Sequence, residues 1–233
     1  MNLNRPEISP NLKSFADKVL AFYKKISIAE KLPKGVEVLN PYQDKQTFEF
    51  CRQFYKMFYD DLNERYVILG INPGRFGGGL TGIPFTDPVK LENVCGIKND
   101  LPKKAELSAD FIHLMIGNFG GLNKFYSRYF FNSVSPLGFT MNNKNLNYYD
   151  TPALIRSLEK YIIRSLNDVL ALGVNREKAF CLGEGENFKY LSKVNAKENF
   201  FREIIPLAHP RFIMQYRRKH LQKYVDDYLS KLQ

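Results

Sequence analysis

The run Gly70-Ile71-Asn72-Pro73-Gly74-Arg75-Phe76-Gly77-Gly78-Gly79-Leu80-Thr81-Gly82-Ile83-Pro84-Phe85 offers a side-chain amide and two aromatic rings on a glycine-rich turn. It follows the apolar run Tyr66-Val67-Ile68-Leu69 directly, so it reads as a loop leaving the end of a strand. In an open α/β sheet that is where ligands bind. The glycines let backbone approach a ligand closely. A loop phenylalanine has no amphipathic face to join and suits stacking on a flat ring. Folding back onto the core is the alternative for Phe85. No Gly-Lys-Ser/Thr occurs in the run, which excludes a P-loop.

Two later stretches have the same strand-then-loop character. They are Phe131-Asn132-Ser133-Val134-Ser135-Pro136-Leu137 and Leu207-Ala208-His209-Pro210-Arg211. The second carries one of only three histidines, the others being His113 and His220. Taken with the pattern Gly-x-Asn-Pro-Gly-x-Phe-Gly-x-x-x-Thr-Gly-x-Pro-Phe at 70–85, the order and spacing resemble the single-strand-selective monofunctional uracil-DNA glycosylases. These form a branch of the uracil-DNA glycosylase superfamily. The resemblance covers roughly residues 60 to 215 and is most specific at the first motif.

The resemblance implies hydrolysis of the N-glycosidic bond of uracil, or of a related deaminated or oxidised base in DNA, leaving an abasic site. It gives Asn72 the task of orienting a water and His209 that of donating a hydrogen bond to the departing base. It gives Asn132 the base edge, which a carboxamide can read as both donor and acceptor. Phe85 would stack on the base, with Gly74 leaving space for it. Taken singly, each residue has a plainer role. Asn72 before proline suits an Asx turn. Asn132 suits a satisfied core amide, and His209 a structural position after a strand. Asp87 has two readings, an assisting carboxylate or a cap for a helix opening at Pro88, the second favoured. No lysine stands at the water-positioning site, so a covalent Schiff-base route is disfavoured.

The chain departs from the family pattern after His209, where Arg211-Phe212 follow Pro210 at once. The loop that would wedge into a duplex is therefore short. Arg211 or Phe212 remain candidates for insertion. Arg217, Arg218 and Lys219 are candidates to hold phosphates, with a solvated helix face as the alternative. A non-catalytic nucleic-acid-binding domain on the same scaffold is the rival function.

Composition narrows the field. Formal net charge is +10 and the pI is about 9.4, which favours a polyanionic partner such as DNA. Of the 233 residues, 44% are hydrophobic and 14% aromatic, so the chain is globular rather than disordered. Cys51, Cys95 and Cys181 are far apart, without Cys-x-x-Cys, which argues against a disulfide framework, a metal site or a cluster. No cofactor is expected. No signal-like or membrane-spanning run is present, so an intracellular protein is expected, cytoplasmic if prokaryotic, and a monomer.

These residues need a scaffold. Helices are expected at 10–30, opening at Pro10; from Asn40-Pro41 onward, with Phe48, Cys51, Phe54, Phe58 and Leu62 inward; at 152–172; and at about 214–232. Strands are expected at 66–71, 128–135, 179–182 and 203–207, and residues 136–151 read as a long polar loop. Strands alternating with helices imply a parallel sheet covered on both faces. With the resemblance, the expectation is a three-layer αβα architecture with a central parallel four-stranded sheet. It would be one glycosylase-like domain, 1–233, with an N-terminal helical part at 1–62 and an α/β core at 63–233.

Overall fold

The structure, a computed structural model, describes residues 12–232. Pro10 lies outside them. The first helix, α1 (Phe15–Lys25), is shorter than its apolar pattern suggests. Ser14 and Asp17 form a reciprocal capping box that starts it, and Ile26 turns extended and ends it. A short strand β1 (Glu37–Leu39) and a 3-10 turn capped by Asn40 follow. Asp44 then caps α2 (Lys45–Tyr59), accepting from the Thr47 N–H. Leu62 falls beyond this helix and is exposed, against expectation.

The central sheet is built from β2 (Arg65–Gly70), β3 (Tyr129–Ser133), β6 (Val174–Leu182) and β7 (Glu203–Leu207). Its order is β3-β2-β6-β7, and every pair is parallel. Val67, Ile68 and Leu69 are consecutive and all buried, so both faces of β2 are covered. This is the expected α/β fold. Between β2 and β3 the chain forms α3 (Gly78–Thr81), α4 (Pro88–Asn93), α5 (Leu107–Phe119) and α6 (Leu122–Tyr126). Gly77-Gly78-Gly79-Leu80-Thr81-Gly82 spells Gly-x-Gly-x-x-Gly, but it opens only the one-turn α3 and is no dinucleotide fingerprint.

The segment expected to be a polar loop at 136–151 is instead largely a hairpin. Strands β4 (Gly138–Met141) and β5 (Lys144–Leu146) pair antiparallel, and β1 adds on the other side of β4. Asn142 and Asn143 both take positive φ, 51° and 59°, which is the backbone of a type I′ hairpin turn. Asparagine pairs suit that turn as well as they suit a loop. The remaining helices are α7 (Pro152–Ala171), α8 (Glu186–Glu198), α9 (Pro210–Tyr216) and α10 (Leu221–Lys231). Thr151 caps α7 and Pro152 opens it. The single last helix expected at 214–232 is broken at Arg217, whose ψ of 16° with φ −129° leaves the helical region.

Arg65 at the start of β2 is fully buried. Its guanidinium donates to the Tyr126 and Asn63 carbonyls at 2.7 and 2.8 Å and to Asp61 Oδ2 at 2.8 Å. It also lies 4.7 and 4.8 Å from the ring centroids of Phe15 and Tyr59. One cation thus ties α1 and α2 to the sheet. Arg65→Ala should lower unfolding free energy by about 3–5 kcal/mol, because it strands buried acceptors. Arg65→Lys should rescue little, since one ammonium cannot fill the fork. Urea denaturation of the two variants tests this.

Candidate active site

All four strands of the main sheet run parallel, so their carboxyl ends share one edge. Loops leaving β2, β3 and β7 meet there around a cavity of about 370 Å³. That size suits a small-molecule or base site. Asn72, Gly74, Phe85, His209, Arg211 and Phe212 all line it, although they come from opposite ends of the chain. Asn132, Arg217, Arg218 and Lys219 do not line it.

Asn72 follows β2 and makes no Asx turn. Its Nδ2 donates to the Leu146 carbonyl at 3.0 Å, and its Oδ1 accepts from the Tyr148 N–H at 2.9 Å. The carboxamide is therefore fixed in orientation by the hairpin. Its oxygen keeps one lone pair for a further donor. Gly74 lies on the same turn, where a Cβ would stand 3.2 Å from Asn145 Nδ2. Asn145 Oδ1 in turn accepts from the Arg75 N–H at 3.2 Å. The hairpin thus braces the whole first motif.

Phe85 has φ 54°, a left-handed backbone rare for a non-glycine residue. Such strain concentrates at functional positions. Its ring lies against the end of β2, where a Cβ on Gly70 would come within 3.0 Å of Cζ. It meets Phe131 at 5.2 Å between centroids and remains half-buried at the cavity. Thr81 and Asp87 frame the turn that holds it. The Thr81 hydroxyl donates to the Thr86 carbonyl at 2.6 Å. Asp87 caps α4, accepting from the Lys90 N–H at 2.8 Å, so its favoured reading holds.

Asn132 is buried within β3. Its Oδ1 accepts from the adjacent Ser133 N–H at 2.8 Å, and its Nδ2 has no partner. The plainer reading of a satisfied core amide is thus only half met. Successive strand residues face opposite sides. Phe131 and Ser133 share the face that meets Phe85. Ser133 Oγ stands 3.4 Å from the position of a Gly70 Cβ, and Ser133 lines the cavity. The polar side chain that β3 presents to the cavity is therefore Ser133, one residue from the expected Asn132.

His209 caps α9. Its Nδ1 accepts from the Arg211 N–H at 3.1 Å, which leaves the proton of the neutral ring on Nε2. Burial, and then the charge of Arg211, lower its pKa from 6.5 to about 4. Glu106, at the start of α5, also lines the cavity. Burial and then the Asp87 charge raise its carboxyl above the ordinary value, although Arg211, the Gly77 N–H and Lys104 oppose this. Ser133 lies inside a motif, and strand parity is the signal that the sequence withholds. Glu106 stands alone in a polar stretch and carries no signal. Among the described residues, no cluster of three His, Cys, Asp or Glu side chains could hold a metal.

The Uracil DNA glycosylase superfamily profile matches residues 57–233. The chain belongs to the uracil-DNA glycosylase superfamily. Its structure is also similar to the crystal structure of wild-type SMUG2 from Pedobacter heparinus. The TM-score is 0.92 at 46% sequence identity, over 94% of this chain and 97% of that one. No curated protein matched the sequence. Among the described residues, no helix of this superfamily member is long and apolar enough to cross a membrane.

The depressed pKa of His209 has a measurable consequence. As pH falls, the imidazole of the unfolded chain takes a proton near 6.5, while the folded one does so near 4. Stability from this group is therefore complete above pH 6.5 and lost between about 6.5 and 4. An NMR titration of the glycosylase-superfamily fold should show His209 as the Nε2–H tautomer down to about pH 5. A midpoint near 6.5 would mean a ring in water.

Proposed function

We propose that this protein is a monofunctional DNA glycosylase that removes uracil, or a related deaminated or oxidised base, and leaves an abasic site. The observation that carries this is His209. Its Nδ1 is occupied, so a neutral Nε2–H is left to donate in the cavity that Asn72 and Phe85 also line. Binding alone requires no such donor.

The chemistry follows from these parts. The bond between C1′ and the base nitrogen breaks, and the electron pair leaves with the base. Negative charge then spreads over the base oxygens. His209 Nε2–H donates to one of them and strengthens its hydrogen bond as the charge grows. Phe85 stacks on the ring, and Ser133 takes the edge-reading role first given to Asn132. The sugar carbon, electron-poor, accepts a water that Asn72 Oδ1 holds in place. That water loses a proton to solvent, and the departing base takes one up. No strong base is needed when the bond to the base breaks first.

Along the cavity wall and beyond it, cations and rings lie together. Phe212 and Tyr216 are one helical turn apart on α9, with centroids 5.8 Å apart, and Tyr216 is 68% exposed. The Arg217 guanidinium lies 5.2 Å from the Phe212 ring. Near the first motif, Arg75 and Lys104 lie 4.7 and 3.7 Å from the Phe76 ring. Bases stack on exposed rings while cations hold phosphates. Arg211, Phe212, Arg217, Arg218 and Lys219 are therefore proposed to meet DNA.

The decisive assay offers oligonucleotides with a single uracil, hydroxymethyluracil, hypoxanthine or xanthine, followed by alkali. Free base should appear, with strand breaks only after alkali and no borohydride-trapped adduct. DNA binding without base release would favour the non-catalytic reading. His209→Ala should slow single-turnover release by about 10²–10³-fold, the scale of losing one donor to a developing oxyanion. Asn72→Ala should slow release with little change in affinity.

Binding should also weaken steeply with salt. Replacing Arg217 and Arg218 by Gln should flatten the log–log salt slope by about 0.7–0.9 for each phosphate that is no longer neutralised. Titration of a fluorescent oligonucleotide at several salt concentrations measures this. An unchanged slope would move the strand path elsewhere.

A further inference from the structure

A carboxylate lining a cavity meant for DNA needs a reason, because it repels phosphate. Glu106 has one in what it touches. It begins α5 at the capping position, yet its side chain makes no capping bond to that helix. Its backbone is held instead by Asp87, which is fully buried. Asp87 Oδ2 accepts from the Glu106 N–H at 2.8 Å while Oδ1 caps α4. That anchor turns the Glu106 side chain onto the glycine turn of the first motif. Its Oε1 stands 4.0 Å from the position of a Gly74 Cβ, and a Cβ on Gly77 would overlap the carboxylate outright. The carboxylate thus lies directly against the Gly77 backbone, whose N–H favours its charged form. A glycine at 77 is therefore required by this close approach.

We propose that Glu106 is a positioning residue. Its carboxyl oxygen accepts from the Gly77 N–H and holds the turn that carries Asn72, adding a second brace to the one that Asn145 supplies at Arg75. This rests on the glycosylase reading for its consequence in catalysis, but not for the hydrogen bond itself. The role needs an acceptor oxygen, not a charge. The raised carboxyl pKa is consistent with that, since a protonated acid still presents its carbonyl oxygen to the N–H.

The test uses the full chain with single-turnover release of uracil and, separately, binding to DNA. Glu106→Gln keeps an acceptor oxygen and removes the charge. It should release base within about threefold of the wild-type rate, as a retained neutral hydrogen bond allows. It should bind DNA as tightly or more tightly. Glu106→Ala should slow release about tenfold or more at saturating DNA, since small misplacements of a reacting group are costly. Its affinity should not fall. Gly77→Ala should be damaging in the wild-type background and much less so beside Glu106→Ala, because the overlap is then gone.

Amide hydrogen exchange at Gly77 gives a readout independent of activity. Protection should drop in Glu106→Ala and persist in Glu106→Gln. A Glu106→Gln variant as slow as Glu106→Ala would overturn the proposal and point to a role for the charge or for direct contact with substrate. Additive effects of the Gly77 and Glu106 changes, or unchanged exchange at Gly77, would overturn it as well. Should the wild type release no base at all, the glycosylase reading fails, while the exchange measurement still decides whether Glu106 holds the turn.

Discussion

The Asn72 carboxamide donates to the Leu146 carbonyl and accepts from the Tyr148 N–H, spanning more than seventy residues of sequence. These two bonds join the end of the central sheet to the small hairpin, and the rest of the site follows from them. Pro73 and Gly74 are carried against β4 and β5, so the first motif cannot swing away from the cavity. The Phe85 turn then closes under Gly70, and the second motif meets it from β7 along the same sheet edge. A parallel sheet makes this meeting possible, because it brings every strand's exit to one side. Remove the carboxamide and a backbone donor and acceptor lose their partner together, so Asn72 has a structural duty beside the chemical one proposed for it.

That double duty explains which parts of the molecule are legible in the sequence. The four core strands are, because buried apolar runs ending in glycine, asparagine or histidine have few other folds. Helix α7 is, because Thr151-Pro152 and the leucine spacing agree. Helix α5 is not. Its residues are apolar nearly all round, and Phe111, Ile112, Met115 and Ile116 gain meaning only against α9 and α10. The hairpin at 138–146 escapes a reading of the sequence because Asn142-Asn143 carries a turn signal that loops also use. The sheet partner that fixes it, β1, is distant in sequence and only three residues long.

The site shows the same limit in finer grain. Residues 131–135 stand out as a segment and bring Ser133 to the cavity, yet side-chain chemistry alone favours Asn132 over Ser133. All five residues of β3 are buried, so no polar–apolar alternation reveals which side chains share a face. Only the meeting of Phe131 with Phe85 sets the parity. Glu106 is invisible for a different reason. Its position depends on Asp87, a buried carboxylate whose second oxygen reaches across nineteen residues to a backbone N–H. Capping of α4 by Asp87 can be read locally, but the second bond cannot.

Charge in this molecule is divided between rim and interior, and the proposed chemistry depends on that division. Formal charge of +10 suits a polyanion; Arg75, Lys104 and Arg217 lie beside aromatic rings, and Arg211 lines the cavity. Inside, the groups proposed to meet the base and the water are an amide, a hydroxyl, a ring and an imidazole held neutral, with the Glu106 carboxyl turned onto the glycine turn. Arg211 has a part in both. Its backbone N–H takes His209 Nδ1 and fixes the tautomer, while its charge disfavours a second cation beside it. A fixed imidazolium would attract any anion, phosphate included, before reaction begins. A neutral N–H donor instead gains most when charge appears on the departing base, and interactions that strengthen only then are the ones that lower a barrier. Binding by the rim and bond breaking in the interior can thus be tuned separately, which a single charged pocket would not allow.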